Sequence, residues 1–216
     1  MTGHIPAWIS KLRKLEVLDL SFNRLTGTIP GWLGTLPRLF YLLLNDNLNS
    51  GEFPKELCRL QALESQKAVN DCSLELPVYF QRRNNASVVA SQYKYVAYMP
   101  RVISLRNNNL SGSILFEIGQ LQFLQQLDLS INNFSGNIPD QISNLTNLER
   151  LELNCNRLSG EIPSSLSSLH FLSTSTVAYN NLEGSIPGGT QLQGFSMSAF
   201  DGNPKLYGAP LPNQCL

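Results

Sequence analysis

Leucine alternates with polar residues in short bursts along this chain, and the bursts recur. Leu18-x-Leu20-x-x-Asn23 returns as Leu42-x-Leu44-x-x-Asn47 and as Ile103-x-Leu105-x-x-Asn108. It continues as Leu127-x-Leu129-x-x-Asn132 and Leu151-x-Leu153-x-x-Asn156, then as a degenerate copy, Ser175-x-Val177-x-x-Asn180. A two-residue alternation predicts a short strand with its leucines turned inward. The asparagines Asn23, Asn47, Asn108, Asn132, Asn156 and Asn180 step by 24 residues, except for one step of 61, which is a period plus a 37-residue insertion. Gly27, Gly51, Gly112, Gly136, Gly160 and Gly184 each follow their asparagine by four residues. Ile29-Pro30, Phe53-Pro54, Ile138-Pro139, Ile162-Pro163 and Ile186-Pro187 come next, and Ile114-Leu115 departs from that pattern.

A fixed period predicts stacked coils, none of which can bury its apolar face alone. Strands of successive coils pair into a parallel sheet on the concave side. Turns and short helical segments form the convex side, where residues such as Leu33 and Leu36 point into the core. An inward asparagine at the end of each strand can satisfy backbone groups that a buried turn leaves unpaired. The stacked asparagines therefore form a structural ladder. Glycine permits the tight backbone that follows, and proline fixes φ where no N–H partner is needed. The fold class is α/β, a right-handed leucine-rich solenoid of 24-residue repeats with an inserted island.

The periodicity also sets boundaries. Residues 1–63 are repeats that begin in mid-repeat, because Thr2-Gly3-His4-Ile5-Pro6 aligns with Thr26-Gly27-Thr28-Ile29-Pro30. Residues 64–101 are the insertion, 102–187 resume the repeats, and 188–216 form a cap. The chain reads as a piece of a longer array. The insertion carries an apolar, β-prone stretch, Leu76-Pro77-Val78-Tyr79-Phe80, and a cluster of Tyr93, Tyr95 and Tyr98. Lys67, Arg82, Arg83, Lys94 and Arg101 outnumber Glu64, Asp71 and Glu75 there. It is either a folded excursion that packs its tyrosines on the solenoid or a ligand platform, and one segment can be both.

Composition narrows the function. The chain holds 37 Leu and 21 Asn in 216 residues, a bias that fits a repeat architecture. Its 16 Lys+Arg balance 16 Asp+Glu, which argues against a nucleic-acid partner and against a disordered charged tail. No apolar run is long enough for a membrane-spanning helix, and the first residues lack the pattern of a signal peptide. No Gly-rich phosphate loop and no kinase motif set is present. With His4 and His170 as the only histidines, no ordinary metal site is expected, and no cofactor. The chain by itself is expected to be a monomer.

Several residues carry possible chemistry. Asp128 and Glu152 fall at equivalent positions of adjacent coils, about 5 Å apart. On paper that spacing suits a retaining glycosidase, but copying of an acidic residue by the repeat is the plainer reading. Asp19, Arg106, Gln126, Ser130, Arg150, Asn154 and Thr174 complete a mixed polar strip suited to a protein or peptide. Cys58 and Cys72 flank the entry to the insertion, as a disulfide of an extracellular domain or as two free thiols. Cys155 reads as an outward-facing free thiol, on the side of its coil opposite His170. Asn85, Asn109, Asn133 and Asn144 head N-x-Ser/Thr sequons, which matter only if the chain is secreted.

Leu110-Ser111-Gly112-Ser113-Ile114 and Leu158-Ser159-Gly160-Glu161-Ile162-Pro163 resemble the plant-type leucine-rich repeat. The insertion, with Leu76-Pro77-Val78-Tyr79-Phe80, Asn84-Asn85-Ala86 and Gln92-Tyr93, is similar to the island of plant receptor kinases for tyrosine-sulfated peptides. These are the phytosulfokine receptors and the tyrosine-sulfated glycopeptide receptor. Residues 142–149 and 169–173 look closer to the glycopeptide receptor. The resemblance covers essentially the whole chain and corresponds to the membrane-proximal part of such an ectodomain, on the extracellular face of the plasma membrane. It implies an extended peptide ligand paired along Val78, Tyr79, Phe80, Gln81 and Arg82, with Arg106, Gln126, Asp128 and Arg150 on the concave face. It also implies docking of a co-receptor kinase ectodomain of the somatic-embryogenesis type. The family's kinase domain is absent from this chain, so no enzyme is expected. Tyr207 stands where the family's cap usually has a cysteine, which leaves Cys215 without its expected partner. A free-standing secreted inhibitor, of the polygalacturonase-inhibitor kind, or a non-signalling receptor remnant are the alternative readings.

Overall fold

The computed structural model describes residues 1–65, 75–84, 87–188 and 191–212, and within 75–95 the backbone alone. Six concave strands pair in parallel in the order Val17–Asp19, Tyr41–Leu43, Val102–Ser104, Gln126–Asp128, Arg150–Glu152 and Thr174–Thr176. Tyr41–Leu43 pairs directly with Val102–Ser104, so the sheet passes the insertion unbroken. The inward residues Leu42, Ile103, Leu127 and Leu151 are fully buried. Coils stacked in this way form a right-handed leucine-rich solenoid.

A second parallel sheet follows the first around each coil, and the leucine periodicity alone did not suggest it. Its strands are Thr2–Gly3, Arg24–Thr28, Leu48–Glu52, Asn109–Ser113, Asn133–Gly136, Arg157–Gly160, Asn181–Ser185 and Lys205–Tyr207. Leu25, Asn49, Leu110, Phe134, Leu158, Leu182 and Leu206 form its buried column. The glycine two residues further on adopts positive φ in each coil from Gly27 to Gly184, a backbone state that side chains disfavour. The cap therefore continues the solenoid, since its strand Lys205–Tyr207 pairs with Asn181–Ser185.

The asparagine ladder holds both sheets. Asn132 accepts the Leu110 N–H at 3.1 Å and donates to the carbonyls of Leu105 at 3.0 Å, Leu129 at 3.2 Å and Ser130 at 3.1 Å. Asn47, Asn108, Asn156 and Asn180 repeat this scheme. One primary amide thus bonds its own turn and the preceding coil. Asn203 makes a further rung, 23 residues after Asn180, accepting the Leu182 N–H at 3.0 Å and donating to the Val177 carbonyl at 3.1 Å. At the other end the Met1 ammonium donates to Asn23 Oδ1.

The convex side carries 3-10 turns rather than α-helices. Ala7–Lys11, Gly31–Thr35, Lys55–Arg59, Phe116–Gln120, Asp140–Asn144 and Ser164–Ser168 are each five residues long. Gln61–Glu64 is the one α-helix among the described residues. Within the period a coil has room for one short turn closed by i→i+3 bonds, such as Leu33 N–H to the Pro30 carbonyl at 3.1 Å. Successive turns pack closely along a column of small residues: Ser10, Gly34, Cys58, Gly119, Ser143 and Ser167. A Cβ on Gly34 would collide with the Glu56 carbonyl oxygen. Ser10, Ser143 and Ser167 fold their hydroxyls onto the carbonyl three residues back, each at 2.7 Å.

Two outcomes follow for stability. Asn132→Ala and Asn203→Ala strand one amide and several carbonyls in the core, so each is expected to cost about 3 kcal/mol in urea unfolding. A negligible effect at Asn203 would remove it from the ladder. Gly34→Ala is expected to cost about 1–3 kcal/mol through overpacking. Gly188→Ala, where an added Cβ has open space, should be neutral in the same assay.

Candidate functional site

The outward positions of the concave strands form the candidate binding strip. Gln126, Asp128, Arg150 and Glu152 fall on it, and Arg106 lies two residues beyond the strand Val102–Ser104. The register sets Gln126 opposite Arg150 and Asp128 opposite Glu152, as the repeat spacing predicts. Asp128 Oδ1 accepts both the Ser130 N–H at 3.0 Å and its hydroxyl at 2.6 Å. Asp19 and Ser21 make the same pair of bonds in their coil, at 2.9 Å and 2.6 Å. Aspartate two residues before serine is therefore a local device that closes the exit from the strand. Glu152 is held by Arg150 at 2.8 Å. Both carboxylates already have partners.

Burial pushes the Asp128 carboxyl up to about 6, with Glu152 adding in the same direction and the Ser130 hydroxyl opposing it. Burial of a carboxyl in low dielectric disfavours the charged form. Arg106 lies close enough to oppose the rise by its charge, and its Nε is buried without a hydrogen-bond partner. The strip changes character along the solenoid. Tyr41 and Val102, at the same position as Gln126 and Arg150, are 6% and 3% exposed, whereas Gln126 and Arg150 are half-buried. The strip is thus covered in the two coils that flank the insertion and polar and half-buried in the two that follow, while Asp19 in the first coil is exposed.

In the chain between the strands Tyr41–Leu43 and Val102–Ser104 there is a hairpin, Glu75–Asn84 antiparallel to Ser87–Tyr95. Val78, Tyr79, Phe80, Gln81 and Arg82 pair with Tyr93, Gln92, Ser91, Ala90 and Val89. This sheet has two strands, so among the described residues each strand has one open edge.

The remaining predicted residues are dispersed. Asn109 and Asn133 begin adjacent strands of the second sheet, and Asn133 Nδ2 donates to Asn109 Oδ1 at 2.8 Å. Asn144 is exposed at the end of a convex turn, while Asn85 lies outside the described residues. Cys58 is a fully buried free thiol in the small-residue column, pushed up to about 12 by burial with Glu117 and Glu56 adding to it. Cys72 lies outside the described residues. Cys155 is an exposed free thiol at positive φ, beside Asn154. Sequence reasoning missed the small-residue column. Its signal was the run of Ser, Gly and Cys at one phase of the period, hidden because three residue types share one size requirement.

Family models for leucine-rich repeats match residues 5–48 and, repeat by repeat, residues 100–121, 123–145 and 147–169. The chain belongs to the leucine-rich repeat family. Receptor-like protein 3 of Arabidopsis thaliana is 54% identical over 133 residues, 60% of this chain and 17% of that protein. Phytosulfokine receptor 2 of the same plant is 51% identical over 136 residues, 60% of this chain and 13% of that protein. The chain thus spans under a fifth of the length of these relatives. The crystal structure of the Arabidopsis receptor kinase HAESA, in complex with the peptide hormone IDA and the co-receptor SERK1, is 30% identical. It covers 100% of this chain and 29% of that one, with a TM-score of 0.73. The leucine-rich repeat chain is therefore similar to the ectodomains of plant receptors. No helix among its described residues is long and apolar enough to cross a membrane.

The raised Asp128 carboxyl yields a pH signature. Its contribution to stability is complete below its ordinary value near 3.8 and is lost as pH rises through about 6. Asp128→Asn cannot ionise. Between about pH 4 and pH 7 it is expected to gain about 1–3 kcal/mol on the parent in urea unfolding. A pH-independent difference would contradict the burial of a charged carboxylate.

Proposed function

We propose that this chain is the peptide-recognition segment of a plant receptor ectodomain, on the extracellular face of the plasma membrane. The observation that carries the reading is the open-edged hairpin set between two coils whose strands pair directly. A strand with a free edge offers a row of N–H and C=O groups to an extended peptide. Main-chain pairing along Val78–Arg82 supplies affinity, and side-chain contacts on the strip supply selection. Arg106, half-buried near Asp128, is a candidate cation for an anionic group of the ligand. The local excess of cations in residues 64–101 favours a tyrosine-sulfated peptide over a neutral one. Co-receptor docking of the somatic-embryogenesis type follows by analogy with the HAESA complex, which contains a co-receptor.

The test is titration calorimetry with paired synthetic peptides, sulfated and unsulfated, against the chain and against a variant lacking residues 66–95. Because the concave sheet does not run through the hairpin, the deletion is expected to leave the fold intact by circular dichroism. Binding of the sulfated peptide by the chain, and its loss in the deletion variant, is the expected result. Equal binding of both peptides would remove the sulfate. Binding that survives the deletion would favour a free-standing inhibitor that uses the concave strip alone.

A further inference from the structure

The inward column of the concave sheet breaks at its last member. Leu18, Leu42, Ile103, Leu127 and Leu151 are all buried, and the residue that registers with Leu151 is Ser175. Beside it lies a groove of about 280 Å³ between the strand Thr174–Thr176 and the cap segment 195–199. Thr174, Ser175, Thr176, Phe195, Ser196 and Ser198 line it, with no charged residue on its walls. Its size is just below the usual range for small-molecule sites, about 300–1,000 Å³.

The strand also presents its backbone to this groove. The Thr174 N–H donates to the Glu149 carbonyl at 3.1 Å, and the Thr176 carbonyl accepts the Leu153 N–H at 2.9 Å. Groups of alternate residues face alternate sides of a strand. The Ser175 N–H and C=O therefore face away from Arg150–Glu152, toward the cap. Two residues further on, the Val177 N–H is already bonded to the Ala199 carbonyl at 2.8 Å. A single donor–acceptor pair remains, too short a stretch for an added peptide strand. Around it stand hydroxyls and one half-buried aromatic ring, Phe195.

We propose that this groove binds one ring of a neutral saccharide, its apolar face against Phe195 and its hydroxyls on Ser175, Thr174 and Ser198. Each sugar hydroxyl both donates and accepts, which matches walls made of hydroxyls and one backbone pair. The absence of charge on the walls disfavours phosphate, sulfate and uronate. The ring can come from a wall-type glucan or from the N-glycan of a partner protein. This site goes beyond the receptor reading and does not depend on it.

The test is a nitrogen-15 NMR titration of the whole chain with cellotetraose, with a released high-mannose N-glycan, and with tetragalacturonate. Saturable shifts confined to residues 173–177 and 195–199, at millimolar sugar, are expected with at least one neutral probe. The probe that produces them identifies the source. Ser175→Leu restores the leucine column, so it should abolish the shifts while raising the urea midpoint. Phe195→Leu keeps the bulk and removes the ring face, and is expected to weaken binding at least several-fold. No saturable shift with either neutral probe would overturn the proposal. So would shifts that persist in Ser175→Leu, or tetragalacturonate acting equally on the same residues.

Discussion

One asparagine amide per coil bonds two coils at once, and the rest of the molecule depends on that bond. A solenoid turn leaves buried backbone groups that no regular ladder reaches. The asparagine supplies an acceptor to the coil before it and donors to carbonyls on both sides. Because the rung sits between the two sheets, it fixes where one ends and the other begins. The residue before each rung turns through positive φ, even where it is Ile131 or Tyr179. Such residues resist that conformation, so the strain is a measure of how firmly the ladder dictates the turn.

Much of this was legible in the sequence. The period, the strands and six of the rungs follow from Leu-x-Leu-x-x-Asn alone. Asn203 was not recognised because its step is 23 rather than 24 and its coil lacks the leucine pair. The second sheet was hidden because only one buried residue per coil marks it, leucine in some coils and Asn49 or Phe134 in others. Short helical segments on the convex side were legible, but their 3-10 form was not, because their length is set by the circumference of a coil and not by local propensity. Of the candidate site, repeat spacing alone brings Asp128 opposite Glu152. What spacing could not give is occupancy, since Ser130 and Arg150 already hold those carboxylates.

The concave strip changes chemistry one coil after the insertion. In the two coils that flank the insertion the outward positions hold Tyr41, Leu43, Val102 and Ser104, and in the next two coils they hold Gln126, Asp128, Arg150 and Glu152. A repeat protein built for packing alone has no reason to change chemistry along one face. The two apolar coils are those the hairpin leaves from and returns to.

The direct pairing of Tyr41–Leu43 with Val102–Ser104 bears on how such a protein can diversify. A segment whose two ends leave from adjacent coils adds only loop-closure entropy to the scaffold, and that cost grows slowly with length. The cassette between those ends can lengthen, shorten or be exchanged without moving a single rung or shifting the register of any strand. Ligand preference and scaffold stability then evolve on separate stretches of sequence, joined at two points on one edge of a coil.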